Sequence, residues 1–360
     1  MTIPGSLNAL LKELNDIPGV SGYEEEIGDR IQSKLSPLTD NFYSDCLGNK
    51  IFIKKGKNPD LKIMLCAHMD EIGFIVCNID EEGFVYIIPA GLHDVRLVMN
   101  QVITIHTEKG DISGVTGARP VHIQSKQDAS HEICFKDLYI DIGASDKKEA
   151  EGLGVQIGDN ATYCREGRFL NGNIFSGKAV DNRSGCTVLI EVMRQLQHKE
   201  TEATVMAVTT VQEEVGIRGA GPAAWGLQPD LALVIDVTFS GDCPDMCHNT
   251  IPVRLGKGPA IMLYDWTPCN AYIGNAVPKR LTKQLIKTAE ENGIPFQRQV
   301  LLNGGTDAWA ISLSGKGVLT GCVSIPCRYI HSATGCVHMN DVQWAADLIV
   351  EFIKGLKEKL

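Results

Sequence analysis

The 360-residue sequence predicts an α/β fold, an α/β/α sandwich that is interrupted by an all-β segment. Apolar strand-like stretches and amphipathic helical stretches alternate near the start and again from about residue 169 onward. Between about residues 72 and 168 no helical period persists, and Phe84, Tyr86 and Ile88 alternate with other residues as in a half-buried strand. The first part has too few elements to bury a core alone. We therefore predict one discontinuous domain, residues 1–71 and 169–360, with residues 72–168 inserted as a β-rich subdomain.

The first part begins with a predicted helix over residues 24–35, in which Ile27, Ile31 and Leu35 recur four residues apart. The stretches NKIFIKKG and LKIMLCAH then predict two strands, and the second is apolar enough to be buried on both faces. Within the inserted segment, EKGD at 108–111 predicts a hairpin turn. A central sheet is therefore expected to begin before the insertion.

The second part returns to alternating strands and helices. A helix is predicted at PKRLTKQLIKTAEEN, where Gly293 ends it, and a final helix is predicted near residues 341–358. The remaining elements of this alternation are SGCTVLIEVMRQL, ATVMAVTTV, LALVIDV and KGVLTGCVSIP. This order is typical of a mostly parallel sheet covered by helices.

Composition excludes several classes of function. The formal net charge of −10 and the pI near 5.4 leave no basic stripe, so no nucleic-acid partner is expected. No apolar run approaches the roughly 18 residues of a membrane span, and the first residues lack the pattern of a secretory leader. The 12 cysteines are scattered singly, which favours reduced thiols. We therefore expect a cytoplasmic protein with no membrane partner.

Histidine and acidic residues follow several of the predicted strands or precede a helix. In open α/β sheets, chain segments from separate strands converge outside their carboxyl ends, so these residues are expected to face one crevice. Taken singly, each is more often a helix cap or a surface residue. Together, two histidines and several carboxylates match the ligands of zinc or cobalt, and the excess of carboxylates favours two ions that share one. The candidates are His68, Asp70, Asp181, Glu213, Glu214, Asp236 and His331.

The adjacent pair Glu213 and Glu214 conflicts with a continuous strand, on which neighbouring side chains point to opposite faces. We predict that the strand ends near Gln212 and that the chain turns through Val215 and Gly216. Other metal-type residues lack a common motif. Cys243, Cys247 and His248 have no second ligand pair, and surface or packing roles suffice for His93, His106, His122 and His131.

Six motifs in this order resemble those of the tetrahedral aminopeptidases, the glutamyl and deblocking aminopeptidase family, some members of which carry a cellulase label. They are HMDEIG, GKAVDNR, QEEVGIRGA, IDVT, GGTDA and IPCRYIHS. The similarity extends from PGVSGYE near the N-terminus to the last helix. It implies a zinc-exopeptidase-like α/β/α domain with a barrel- or PDZ-like dimerisation domain inserted at residues 72–168.

The resemblance also implies a role for each candidate residue. His68, Asp181 and Asp236 would hold one metal ion, and Asp181, Glu214 and His331 the other, so that Asp181 bridges. Glu213 would be the general base, and Asp70 would orient His68, consistent with its position two residues further along the same strand face. The peptide bond that follows Asp181 is expected to be cis. Zinc is the expected metal and cobalt the alternative.

The predicted activity is removal of N-terminal amino acids from short peptides, by a subunit that assembles into a tetrahedral dodecamer built from dimers. One alternative is a glycoside hydrolase of the endoglucanase type, but paired glycosidase carboxylates need no metal and would leave the two histidines unexplained. Another is an inactive assembly protein on the same fold, which the full set of ligands and base disfavours. The preferred N-terminal residue stays open.

Overall fold

The computed structural model describes residues 5–118, 120–124, 133–244, 246, 249–267 and 273–360. His131, Cys247 and His248, which were expected to have no metal role, lie outside these residues. The helices are α1 (Gly5–Asp16), α2 (Glu25–Leu35), α3 (Val95–Val98), α4 (Lys147–Leu153), α5 (Val180–Leu196), α6 (Ala220–Leu227), α7 (Lys279–Glu291), α8 (Asp307–Ser312) and α9 (Met339–Gly355). Short 3₁₀ turns lie at Ser36–Leu38, Val121–Ile123 and Phe135–Asp137.

The strands form one large mixed sheet and one closed barrel. Those of the large sheet are β1 (Asn41–Ser44), β2 (Lys50–Lys54), β3 (Asn58–His68), β10 (Arg168–Phe169), β11 (Ile174–Gly177), β12 (Ala203–Thr210), β13 (Leu231–Phe239), β14 (Ala260–Thr267), β15 (Ile273–Ala276), β16 (Gln297–Leu302), β17 (Leu319–Arg328) and β18 (Gly335–His338). Those of the barrel are β4 (Gly73–Ile79), β5 (Val85–Ala90), β6 (Val102–Thr107), β7 (Gly110–Thr116), β8 (Tyr139–Asp141) and β9 (Asn160–Tyr163).

Four parallel strands form the centre of the large sheet, in the order β12, β3, β13, β17. The register pairs Thr210 of β12 with His68 of β3, so these two strands end at the same level. Antiparallel pairs extend the sheet on both sides, through β2 next to β12 and through β18 next to β17. Because the four central strands run the same way, their carboxyl ends share one edge, and the chain leaves the sheet there four times.

Helices cover both faces of this sheet. Leu65 and Ala67 of β3 belong to a core that includes α1, α2, α5, α7 and α9, whereas Met64 and Cys66 belong to a second core beneath α6 and α8. Successive strand residues point to opposite faces, which explains why β3 is apolar without alternation. The predicted α/β/α sandwich is therefore confirmed.

The barrel has its own apolar core and is closed in the order β4, β5, β8, β7, β6, β9. Its strands lie between Gly73 and Tyr163, inside the segment predicted to be inserted, and the hairpin predicted at 108–111 joins β6 to β7. The short helices α3 and α4 accompany these strands. The division of the chain at residues 71 and 169 into two domains stays a prediction.

Two local predictions differ from the structure, and one helix has no counterpart among the predictions. The strand before Glu213 ends at Thr210, two residues earlier than expected, and the last helix begins at Met339, where the ring of His338 accepts a hydrogen bond from the Asn340 N–H. Helix α1 was not predicted. Among the described residues, no helix is long and apolar enough to cross a membrane.

Candidate metal centre

The predicted site residues meet at the carboxyl edge of the parallel strands. His68 is the last residue of β3, and Asp236 lies three residues before the end of β13. Glu213 and Glu214 follow β12, and His331 follows β17. Asp181 comes from the start of α5 and reaches the same place, with its Oδ1 3.1 Å from His68 Nε2. The side chains therefore converge from five separate parts of the chain.

Two groups of possible ligands share Asp181. The atoms offered by His68, Asp181 and Asp236 lie within 4.8 Å of one another, and so do those of Asp181, Glu214 and His331. The Nε2 of His68 is 3.6 Å from Asp236 Oδ1, and the Nε2 of His331 is 3.4 Å from Asp181 Oδ2 and 3.3 Å from Glu214 Oε2. The structure thus brings together both sets of residues that the resemblance implies. A third group combines His68 with both glutamates, so Glu213 lies beside the two sets.

The backbone at Asp181 departs from helical geometry. Its ψ of 106° and the cis peptide bond to Asn182 interrupt the first turn of α5. The amide of Asn182 holds this arrangement, since it donates to Ile235 O at 2.8 Å and accepts from the Gly185 N–H at 3.0 Å. The expected cis bond is confirmed, and the Asp181 carboxylate faces the site rather than continuing the helix surface.

Asp70 contacts both His68 and the turn that carries the glutamates. The Nδ1 of His68 is 3.2 Å from the Asp70 carbonyl oxygen and 3.4 Å from its Oδ1. The carboxylate of Asp70 is fully buried and also accepts the backbone N–H groups of Glu213 and Glu214, each at 3.1 Å, and the Ser21 hydroxyl at 2.6 Å. The sequence predicted the contact between Asp70 and His68, but it did not predict the hydrogen bonds from the turn to the Asp70 carboxylate.

The site contains more carboxylates than side chains that can carry a positive charge. Burial raises the pKa of Glu213 well above its usual value and that of Glu214 to about 8. Burial opposes the protonation of His331, but the nearby Glu214 and Asp181 carboxylates outweigh burial and raise its pKa to about 9. Among the described residues, the ion-pair partners of Asp181, Glu214 and Asp236 are the two histidines. The cluster therefore attracts positive charge.

The residues present fit divalent cations. The Oε1 of Glu214 is buried and has no hydrogen-bond partner, although such a group is normally satisfied. The side chains offer imidazole nitrogen and carboxylate oxygen, the donors that zinc and cobalt accept. A cation in each group would satisfy the orphan oxygen and balance the excess of carboxylates.

A cavity of about 400 Å³ adjoins the cluster. Its walls are mainly apolar and include Met262, Ile273 and Leu301. Asp265 also lines it and is almost fully buried; its Oδ1 accepts the Asn275 N–H at 2.7 Å and its Oδ2 has no partner. The volume lies within the roughly 300 to 1,000 Å³ range that is usual for small-molecule sites.

Sequence reasoning also missed a carboxylate behind the cluster. Asp307, from the GGTDA motif, is buried, and its Oδ2 accepts the Thr210 hydroxyl at 2.5 Å and the Cys66 thiol at 3.3 Å. The motif contributed to the resemblance, but its residues alone did not indicate which groups the Asp307 carboxylate would contact. Asp307 thereby ties the first turn of α8 to the ends of β3 and β12.

This α/β/α sandwich with an acid-and-histidine cluster at its strand ends defines a metal-dependent peptidase. The chain belongs to the M42 glutamyl aminopeptidase family, whose sequence profile matches residues 48–348. A putative aminopeptidase of Acetivibrio thermocellus is 38% identical over 345 residues, which are 96% of this chain and 97% of the relative. The protein is therefore an aminopeptidase.

Solved structures agree with this assignment. An aminopeptidase of the archaeon Desulfurococcus kamchatkensis superposes with a TM-score of 0.92 at 36% identity and covers 98% of this chain and 95% of its own. The TET1 peptidase of Pyrococcus horikoshii, described as able to assemble into a tetrahedron or a large octahedral shell, gives a TM-score of 0.87 at 35% identity. That match covers 97% of this chain and all of the Pyrococcus chain.

Proposed function

We propose that this aminopeptidase hydrolyses the first peptide bond of short peptides at a dinuclear metal centre, with Glu213 as the general base. The observation that carries the proposal is the pair of ligand groups that share Asp181, with Glu213 beside both. A single ion would leave one of the two groups without a function. A glycosidase pair of carboxylates would not require the histidines.

In this proposal His68, Asp181 and Asp236 hold one ion, and Asp181, Glu214 and His331 hold the other. When bound, these ions would supply Lewis acidity toward the scissile carbonyl and would lower the pKa of a water molecule toward neutrality. Zinc is the expected metal, with cobalt as the alternative, because the donors are imidazole and carboxylate.

The protein side chains move the proton and hold the geometry. Glu213 takes a proton from the attacking water and delivers it to the leaving amine. Its carboxylate lies in one group with His68 and Glu214, which supports this role. Asp70 keeps the ring of His68 oriented through the contacts at Nδ1, and a ring fixed in this way would offer Nε2 as a ligand.

The surroundings of the cluster suit an exopeptidase. The adjoining cavity receives the side chain of the N-terminal residue, and its apolar walls exclude water from the reacting bond. We further propose that the chain forms a homo-oligomer, a tetrahedral dodecamer built from six dimers in which the inserted barrel makes the dimer contact. The assembly described for the Pyrococcus relative supports this proposal.

Chelation tests the metal requirement. After treatment with a chelator and desalting, cleavage of amino-acid p-nitroanilides should fall by more than about 100-fold, and readdition of zinc or cobalt should restore it. Elemental analysis should find two ions per chain before treatment. Cleavage that persists without metal would contradict the mechanism. Metal-independent release of reducing sugar from a soluble glucan would instead support the glycosidase alternative.

A further inference from the structure

The four consecutive backbone N–H groups of residues 211–214, which include Glu213 and Glu214, each donate to a side-chain oxygen from elsewhere in the chain. The N–H of Val211 donates to Asn49 Oδ1 at 3.0 Å, and that of Gln212 donates to Glu24 Oε1 at 3.0 Å. Those of Glu213 and Glu214 donate to the two oxygens of Asp70. We call residues 211–214 and these three acceptors the amide clamp.

The backbone conformation explains why the clamp is needed. Gln212 has a φ of 56°, in the left-handed region that residues other than glycine rarely adopt. After Thr210 the chain leaves the β-ladder, so its N–H groups lose their strand partners and need others once buried. The carbonyls of the turn are satisfied internally, since Glu213 O accepts the N–H groups of Gly216 and Ile217. The side-chain acceptors therefore select this conformation.

The acceptors differ in what else they contact. Asp70 also contacts His68, and Asn49 also donates to Gly219 O at 3.0 Å and to Asp45 Oδ2 at 2.7 Å. Glu24 lies at the entrance to α2 and is only 6% exposed, yet it contacts none of the ligand side chains by hydrogen bond or ion pair among the described residues. It is thus the acceptor through which the turn can be disturbed without touching a ligand.

The segment that carries Glu24 is itself anchored at the site. Val20 forms a β-bridge with Glu71, the Glu71 N–H donates to Gly19 O at 2.9 Å, and the Ser21 hydroxyl donates to Asp70. These contacts fix the position of the Glu24 carboxylate relative to Asp70, although 188 residues separate Glu24 from Gln212. The N-terminal segment therefore forms part of the support of the turn.

We propose that Glu24 is a positioning residue of this aminopeptidase: by accepting the Gln212 N–H, it fixes the backbone from which the Glu213 side chain projects toward the substrate. This inference rests on the proposed role of Glu213 as the general base. Gln212 precedes Glu213 directly, so rotation of its backbone displaces the Glu213 carboxylate. A displacement of about 1 Å at a catalytic group costs on the order of 100-fold in rate.

Three variants test the proposal in the full-length, metal-loaded enzyme. Glu24→Ala removes the acceptor, Glu24→Gln keeps an oxygen of the same reach, and Glu25→Ala is the control because Glu25 is the neighbouring exposed glutamate. We expect Glu24→Ala to lower kcat for an amino-acid p-nitroanilide about 10- to 100-fold, with KM changed less than about threefold and with the metal content unchanged. Glu24→Gln and Glu25→Ala should stay within about threefold of the parent enzyme.

A double variant separates positioning from a general structural effect. In a Glu213→Gln background no base remains to be positioned. Adding Glu24→Ala should therefore lower kcat by a further factor of less than about two relative to Glu213→Gln alone. If Glu24→Ala fails to fold, Glu24→Asp replaces it, because its shorter side chain cannot keep the 3.0 Å contact, and the same loss of kcat is expected.

Four results would overturn the inference. The first is an unchanged kcat in Glu24→Ala, or in Glu24→Asp where that replaces it, and the second is a loss of kcat in Glu24→Gln as large as that in Glu24→Ala. The third is a loss of kcat that follows loss of metal, and the fourth is full additivity of Glu24→Ala with Glu213→Gln. High activity of Glu213→Gln alone would instead refute the proposed base. The two failures are therefore distinguishable.

Discussion

Glu213 and Glu214 are neighbours in the chain, yet the proposed mechanism gives them different tasks, which substitution can separate. Glu213→Gln should retain both metal ions while kcat falls about 10²- to 10⁴-fold, because the amide cannot take the proton of water. Glu214→Ala should lose metal, since it removes a ligand oxygen of the second group. Activity with p-nitroanilides and elemental analysis after desalting measure the two effects. Glu151→Gln, which changes an exposed glutamate of α4, is the control. Near-normal turnover of Glu213→Gln would refute the role of Glu213 as the general base.

The sharing of Asp181 between the two ligand groups has a consequence for stoichiometry. Asp181→Ala removes an oxygen from both groups and should lower the metal content from two ions per chain toward none, whereas His331→Ala should leave one ion, held by His68, Asp181 and Asp236. Both variants should lose most turnover, so metal content is the informative measurement. Equal stoichiometry in the two variants would show that Asp181 does not bridge.

Most of the site residues could be predicted from local sequence, and their support could not. His68, Asp236 and His331 belong to or follow apolar strands, and strand ends converge in any open α/β sheet. The contacts of Glu24 and Asn49 join backbone and side chains 188 and 162 residues apart, and such hydrogen bonds impose no periodicity on either segment. Only the folded arrangement reveals them.

At the scale of elements, the periodicity of apolar residues predicted where helices and strands lie better than it predicted the residues at which they begin and end. Helix α2 was expected over residues 24–35 and begins at Glu25, and α7 ends before Gly293 as expected. Strand β12 ends early because side-chain acceptors replace the ladder partners beyond Thr210. Helix α1 was not predicted, although Leu7, Leu11 and Leu14 recur at the helical spacing i, i+4 and i+7 and are buried in the core beside α5.

A half-buried histidine in the segment that follows barrel strand β5 gives the protein a pH-dependent element. His93 stacks on Phe74 with ring centroids 4.6 Å apart, and its Nε2 lies 2.9 Å from Gly73 O. Burial lowers the pKa of His93 from 6.5 to about 4. The unfolded chain therefore binds a proton that the folded chain does not, so stability is fully present above about pH 6.5 and falls as the pH drops toward 4. The full window is worth up to about 3 kcal/mol.

Denaturant unfolding at pH 7 and pH 5 measures this contribution. The parent protein should lose more stability between these pH values than His93→Gln, whose amide can still donate to Gly73 O but does not titrate. His198→Gln, which changes an exposed histidine at the end of α5, should keep the parent's pH dependence. An identical loss in the parent and in His93→Gln would contradict the assignment.

At the scale of the whole molecule, the sandwich and the β-rich character of residues 72–168 could be predicted because the two parts of the chain differ in periodicity over long stretches. Closure of the barrel could not, because no local pattern indicates that β9 pairs with both β4 and β6. Those two pairings bring the last strand of the barrel back to the first, since Gly73 and Tyr163 lie on adjacent strands. The chain can thus leave the sandwich after β3 and return to it without rearranging the parallel strands.

The proposed assembly of the whole molecule can be tested on the barrel surface. Val102 and Val115 face each other across β6 and β7 and remain 46% and 48% exposed, so they form an apolar pair on the outside of the barrel. If the barrel makes the dimer contact, Val102→Glu combined with Val115→Lys should preserve strand pairing through the opposite charges while removing the apolar contact.

Twelve chains of 39.2 kDa give a particle of about 470 kDa. Native mass spectrometry should find that mass for the parent and a smaller species for the double variant, with the thermal midpoint of unfolding as the control for folding. A parent that is monomeric at micromolar concentration would refute the assembly, and a double variant of full mass would exclude this surface as the contact.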